Sequence, residues 1–148
     1  MDTGNKTQFD EVYEVFLASI DSYDLAKLDD DELSDTLKSY LLSGVEVFDT
    51  YIDKEFTDYD TQNSCFNFKL NRREINILAK AMKLEWVRLK KHSQELMEKA
   101  YGDRDYSAIQ GYRYLEELQL MEVQLSKEIK NEINTIEYAN SDLYGDMA

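Results

Sequence analysis

The chain has 148 residues, with 17 Lys and Arg against 31 Asp and Glu, a formal net charge of −14, 43% apolar residues, no proline, one cysteine and one histidine. That length suits one domain, and the apolar share is enough for a buried core. A lone Cys65 beside a lone His92 excludes an internal disulfide and a structural zinc site, no apolar run approaches the roughly 20 residues that span a bilayer, and the net charge opposes DNA and anionic membrane, whose binding rests on Lys and Arg near phosphate.

The absence of proline removes the strongest helix breaker and predicts an all-α fold. It is expected to be a small helical bundle with a long C-terminal helix and no significant sheet. The first helix is expected from about Gln8 to Ile20, where Phe9, Val12, Tyr13, Phe16, Leu17 and Ile20 recur at spacings of one helical face. A second start stands at Asp29, a capping residue with Glu32 three positions on and Leu28 and Leu33 at the staple positions. Leu33, Leu37, Tyr40, Leu41, Val45, Phe48 and Ile52 continue its stripe, and Gly44 on that side allows another helix to approach closely.

Residues 55–70 read as a loop in which Phe66, Phe68 and Leu70 alternate over a short extended stretch. As the longest irregular segment it is also a place for function. A third helix starts at Asn71, with Glu74 completing a capping box and Leu70 facing Ile75. Ile75, Leu78, Met82, Trp86 and Leu89 make one stripe, and Ile77, Ala81 and Leu84 widen it. An arc so broad predicts a central helix with Trp86 as a core anchor. A separate short helix is expected over Ser93–Tyr101, stopped by Gly102. The final helix is expected from near Asp105 to Tyr138. Its stripe is Leu115, Leu118, Met121, Leu125, Ile129, Ile133 and Ile136, and at 1.5 Å per residue it would be roughly 50 Å long. The organisation expected is a flexible N-terminal tail over 1–8, one helical domain over 9–138 and a C-terminal tail over 139–148.

Charge is uneven. Residues 1–68 hold 4 basic and 17 acidic side chains, whereas 69–92 hold 8 basic and 2 acidic ones. Opposite blocks of this kind attract either within one chain or between neighbouring copies.

The residues offer little for catalysis. His92 stands beside Lys90 and Lys91 and reads as a surface histidine; Cys65 has no nearby His and reads as a half-buried free thiol. Glycines at 4, 44, 102, 111 and 145 form no phosphate loop. Asp58-x-Asp60-x-Gln62 opens like a calcium loop, but Asn63 replaces the turn glycine and Lys69 stands where the bidentate Glu belongs. No catalytic residue, cofactor or metal ligand is therefore expected, and the protein is expected not to be an enzyme. The eleven tyrosines point elsewhere, because tyrosine is enriched at interfaces. Tyr106, Tyr112, Tyr114, Tyr138 and Tyr144 fall in the C-terminal third.

Several features together carry a resemblance. They are an early helix, the capped Asp-Asp-Glu-Leu helix with Tyr-Leu-Leu, a Phe-rich loop, the run Leu-Asn-x-x-Glu-Ile-x-Ile-Leu-Ala-Lys-x-Met-x-x-Glu-Trp at 70–86, and Gly-Asp-x-Asp-Tyr-Ser at 102–107 opening a long helix. Over residues 10–138 this resembles the small helical head–tail connector (adaptor) proteins of tailed bacteriophages, found among head-completion or neck genes. The resemblance implies a homo-oligomeric ring, of twelve subunits, docked under the portal protein and receiving the neck stopper or tail protein. Genomic DNA would pass through its channel without specific binding. It also implies a place at the head–tail junction of a virion assembled in the host cytoplasm. Adaptor C-terminal segments commonly make the portal contact, which singles out Tyr112, Tyr138, Leu143, Tyr144 and Met147 as partner-binding residues. The start, Met1 to Lys6, lacks the pattern of a signal peptide and agrees with an intracellular site of assembly. The composition also suits a small acidic DNA mimic that inhibits a host nucleic-acid-binding protein, or a chaperone-like helical adaptor for one partner.

Overall fold

The computed structural model describes residues 6–20, 25–46, 55–101 and 106–145, with side chains for all of these except 97, 98, 100, 101, 106–112 and 139–145. The elements in order are α1 (Phe9–Ala18), a 3-10 turn (Leu25–Lys27), α2 (Asp30–Val45), a hairpin of β1 (Tyr59–Asp60) and β2 (Cys65–Phe66), α3 (Arg72–Tyr101) and α4 (Tyr106–Gly145). The fold is thus helical with one two-stranded antiparallel ribbon, and its C-terminal helix is long.

Local signals set the helix starts. The Asp29 carboxylate accepts the Glu32 N–H at 2.8 Å and caps α2. At α3 the box is reciprocal: the Glu74 N–H donates to Asn71 Oδ1 at 2.8 Å, and the Asn71 N–H donates to Glu74 Oε1 at 2.9 Å. Each bond satisfies an N–H that has no partner within the helix. α1 starts at Gln8, whose N–H donates to the Glu11 carboxylate at 2.8 Å.

The core is built on the first half of α3. Phe9, Val12, Tyr13 and Phe16 of α1 and Leu37, Leu41 and Val45 of α2 are buried against Ile77, Leu78, Ala81, Met82, Leu84 and Val87. Gly44 sets the spacing of α2 on α3, because a Cβ there would lie 3.0 Å from the Ala81 Cβ and 3.2 Å from its carbonyl carbon. From the other side α4 adds Leu118, Leu125 and Ile129, with Met121, Ile133 and Ile136 half-buried. Phe48 and Ile52, expected on the α2 stripe, lie outside the described residues.

Four expectations are corrected. The segment 1–8 is not all tail: Thr7 is buried, its hydroxyl accepts the Leu70 N–H at 2.7 Å, and its backbone bonds both Phe68 and Phe66. Residues 55–70 are not an irregular loop alone, since they hold the short hairpin and send four side chains into the core. Phe56, Cys65, Phe66 and Leu70 are buried, and Phe66 meets Phe9 edge-on with ring centroids 5.1 Å apart. Ser93–Tyr101 is no separate helix, since nothing at His92-Ser93 breaks the backbone and α3 runs on to Tyr101. The 139–148 tail is helical through Gly145, because Ala139–Leu143 includes no breaker. With 30 and 40 residues, α3 and α4 are about 45 and 60 Å long.

Trp86 and Leu89 also depart from expectation. Trp86 is half-buried and Leu89 is 51% exposed, so the α3 stripe outruns the elements that cover it.

Candidate functional site

Ion pairs fix how α4 lies along α3. Lys80 of α3 bonds Glu132 and lies 3.6 Å from Glu128, and Lys91 lies 3.2 Å from Glu122. Moving forward on α3 moves backward on α4, so the two helices are antiparallel. The Glu132 hydrogen bond, with the charges of Glu132 and Glu128, raises the Lys80 ammonium above its usual value of 10.5 against a smaller opposing effect of burial. Lys80 and Lys91 of the basic segment are neutralised within the chain, and their partners are on α4 rather than in the acidic first half. Arg88 pairs with Glu85 on its own helix at 3.0 Å.

Beyond the core, this hairpin carries the exposed apolar surface. Among the described residues the large exposed apolar side chains are Leu89, Leu96, Tyr114, Leu120, Val123 and Tyr138, all on the second half of α3 or on α4. Three of them stand out on α4, where Leu120 and Tyr138 are each 70% exposed and Val123 is 64% exposed. At 100° per residue Leu120 lies on the side of α4 opposite Leu118 and Leu125, which are buried.

A cleft of about 370 Å³ opens where α2, α3 and α4 meet. Tyr40, Trp86, Leu89 and Tyr114 form its apolar wall, over Leu25 of the 3-10 turn, and Lys90, Ser93 and Gln94 supply polar edges. The Lys90 ammonium sits 4.9 Å from the centre of the Trp86 ring, within cation–π range. Burial raises the Tyr40 phenol above its usual value, against a smaller lowering by the charge of Lys90. The cleft has the character of a recognition pocket: aromatic, with few polar groups.

Other candidates resolve into structural roles. Asp60 is engaged by its own turn, accepting from Asn63 Nδ2 at 2.6 Å and from the backbone N–H groups of Gln62 and Asn63 at 2.9 and 3.2 Å. Those bonds, the Asn63 side chain first, hold its carboxyl below the usual 3.8. Among the described residues no three His, Cys, Asp or Glu side chains converge as a metal site. His92 is exposed and Cys65 is buried. The Tyr13 hydroxyl is buried with no hydrogen-bond partner among the described residues, and burial, with the Asp10 charge, pushes its ionisation well up. No described helix is long and apolar enough to cross a membrane.

Of the partner-binding residues read from the sequence, Tyr138 is exposed on α4 beside Asn131, Asn134 and Thr135. Tyr112, Leu143 and Tyr144 lie on the α4 backbone, with side chains outside the described set, and Met147 lies outside the described residues. The structure does not bring the five together: one turn of α4 after another separates Tyr112 from Tyr138 by about 39 Å. Sequence reading missed the cleft, although the α3 stripe running past Trp86 to Leu89, Ser93 and Leu96 was its visible signal. Comparison with family models, with curated proteins and with solved structures finds no match to this chain.

Proposed function

We propose that this chain is a non-enzymatic structural protein of a tailed-phage neck. It forms a ring of identical subunits under the portal protein, continues the DNA channel and links head to tail. The observation that carries this reading is the concentration of exposed apolar side chains on the α3–α4 hairpin, with none of comparable size exposed on the described parts of α1, α2 or the β hairpin. A helix of 40 residues suits lateral packing between subunits. The sequence resemblance over 10–138 supports the same reading, and a net charge of −14 suits a channel wall past which DNA must slide.

In this reading α4 and the residues after it face the portal, the opposite end of the ring meets the stopper or tail protein, and the DNA is bound by neither. The test is deletion of the gene in its phage, with microscopy of the particles and immunolabelling of wild-type virions. DNA-filled heads without tails, and label at the head–tail junction, are expected. Normal tailed virions from the deletion, or virions without the protein, overturn the reading.

A further inference from the structure

We propose that the outer face of α4 is a two-fold interface between two copies of this chain, in which Glu116 and Leu120 of one copy lie against Lys127 and Val123 of the other on antiparallel helices. The proposal concerns the free chain and does not rest on the neck reading.

The face is apolar at its centre and uncovered. Leu120 is 70% exposed and Val123 64% exposed. At 100° per residue both lie on the side of α4 away from Leu118, Leu125 and Ile129, which join the core. Glu116 and Lys127, both exposed, share that side, and the four residues fall within about 60° of one another around the helix. All four side chains, and all those between them, are described.

Their order says what covers them. The residues follow one another at spacings of four, three and four, so the strip has the same spacing read from either end. An acid stands at one end, a base at the other, and two apolar side chains between. Neither Glu116 nor Lys127 makes an ion pair among the described residues. A second copy turned end for end about the midpoint between Leu120 and Val123 places each Leu120 against a Val123 and each Glu116 against a Lys127. A copy laid parallel in register would set Glu116 on Glu116 and Lys127 on Lys127. The charges therefore select the antiparallel pair, and the strip is complementary to itself.

Two further points agree. Copies of a chain with net charge −14 repel, so self-association requires opposite charges to meet locally, and the strip supplies two such meetings. Arg113 and Lys130 are equally far from the midpoint, but they lie about 100° apart around the helix, on opposite edges of the strip. A two-fold axis brings like edges together, so Arg113 of one copy falls beside Asn131 of the other and the two cations do not meet. Such a contact is isologous and closes at two copies.

The experiment is sedimentation of the full chain at millimolar concentration, with exchanged charges. The native chain should show a monomer–dimer equilibrium. Glu116→Lys and Lys127→Glu should each weaken it by about tenfold, because the axis repeats every change, and the two combined should restore it. Leu120→Asp should weaken it by about tenfold or more. All four positions of the strip are exposed, and the helical spectrum should stay native. A second measurement needs no charge exchange. Under mild oxidation Glu116→Cys combined with Lys127→Cys should give a covalent dimer on a non-reducing gel, while each single variant and the native chain, whose Cys65 is buried, stay monomeric. Equal positions at 116 lie about 17 Å apart along an antiparallel pair, beyond disulfide reach. A native chain that stays monomeric overturns the proposal, and so does a combined exchange no better than its single parts. A dimer from Glu116→Cys alone shows parallel helices, and covalent multimers larger than two show a head-to-tail contact; either result overturns it as well.

Discussion

The two halves of α3 share one backbone helix and one apolar periodicity, yet their surroundings differ completely. From Arg72 to Val87 the helix buries Glu74, Ile77, Leu78, Ala79, Ala81, Met82, Leu84 and Val87. From Arg88 onward no described side chain is buried, although Leu89 and Leu96 continue the apolar pattern. The difference is one of cover. Buried side chains of α1 and α2 pack on the first half, and among the described residues the second half meets α4 and the lining of the cleft. An apolar stripe in a sequence therefore states that something will cover it; it does not state whether the cover comes from the same chain.

The largest expected effect tests that contrast directly. Met82 is fully buried among three helices, and Met82→Ala should cost about 2–5 kcal/mol through lost contacts and a residual cavity. Leu96, exposed on the same helix, should change stability by no more than about 0.5 kcal/mol as Leu96→Ala. Urea unfolding of the isolated chain measures both. Equal losses would mean that the second half of α3 is covered within the monomer.

What the sequence displayed well was local. The caps at Asp29 and Asn71, the close approach at Gly44 and the α4 stripe from Leu118 to Ile136 each depend on residues a few positions apart, or on a glycine whose purpose its stripe reveals. What it hid was non-local. Nothing near Thr7 announces that its hydroxyl will accept the N–H of Leu70, 63 residues on. Tyr59 and Phe66 read as loop because their partner, Phe9, is also far away in the sequence. The charge blocks suggested a pairing, but Lys80 and Lys91 found nearer acids once α4 folded back. For the candidate site, the exposed tyrosine at 138 was legible from composition. The cleft was not, because it needs Tyr40, Trp86 and Tyr114 from three elements, and a tryptophan on a stripe is ordinarily read as core.

A smaller effect probes why the covered half packs so closely. Gly44→Ala gains helix propensity of up to about 1 kcal/mol. Its new Cβ would meet the Ala81 Cβ at 3.0 Å and backbone at 3.2 Å, where overpacking costs about 1–3 kcal/mol. The clash wins because one neighbour is main chain and cannot turn aside. A net loss of about 1 kcal/mol is expected in urea unfolding, and a more stable variant would show that α2 shifts freely on α3.

The smallest effect lies at the rim of the covered half and appears only in acid. Asp60 accepts three hydrogen bonds within its turn, which closes the hairpin at Ser64, a residue with φ of 53°. Its carboxyl titrates below the usual 3.8 in the folded state. The sign follows from linkage: a carboxyl with a depressed folded value adds stability above its unfolded value and loses it as pH falls through the folded one. Lowering pH below 3.8 should therefore leave Asp60 ionised after unperturbed carboxylates have protonated, and only then release the Gln62 and Asn63 N–H groups. Carboxyl chemical shifts and amide exchange across pH 2–5 follow both events. The Phe66 N–H, which donates to Thr7 O at 2.9 Å, should stay protected throughout, since Phe66 is held by the aromatic core and not by the turn. If Phe66 exchanges together with Asn63, the turn and the core open as one unit, and the packing of Phe66 against Phe9 depends on a single carboxylate at the hairpin turn.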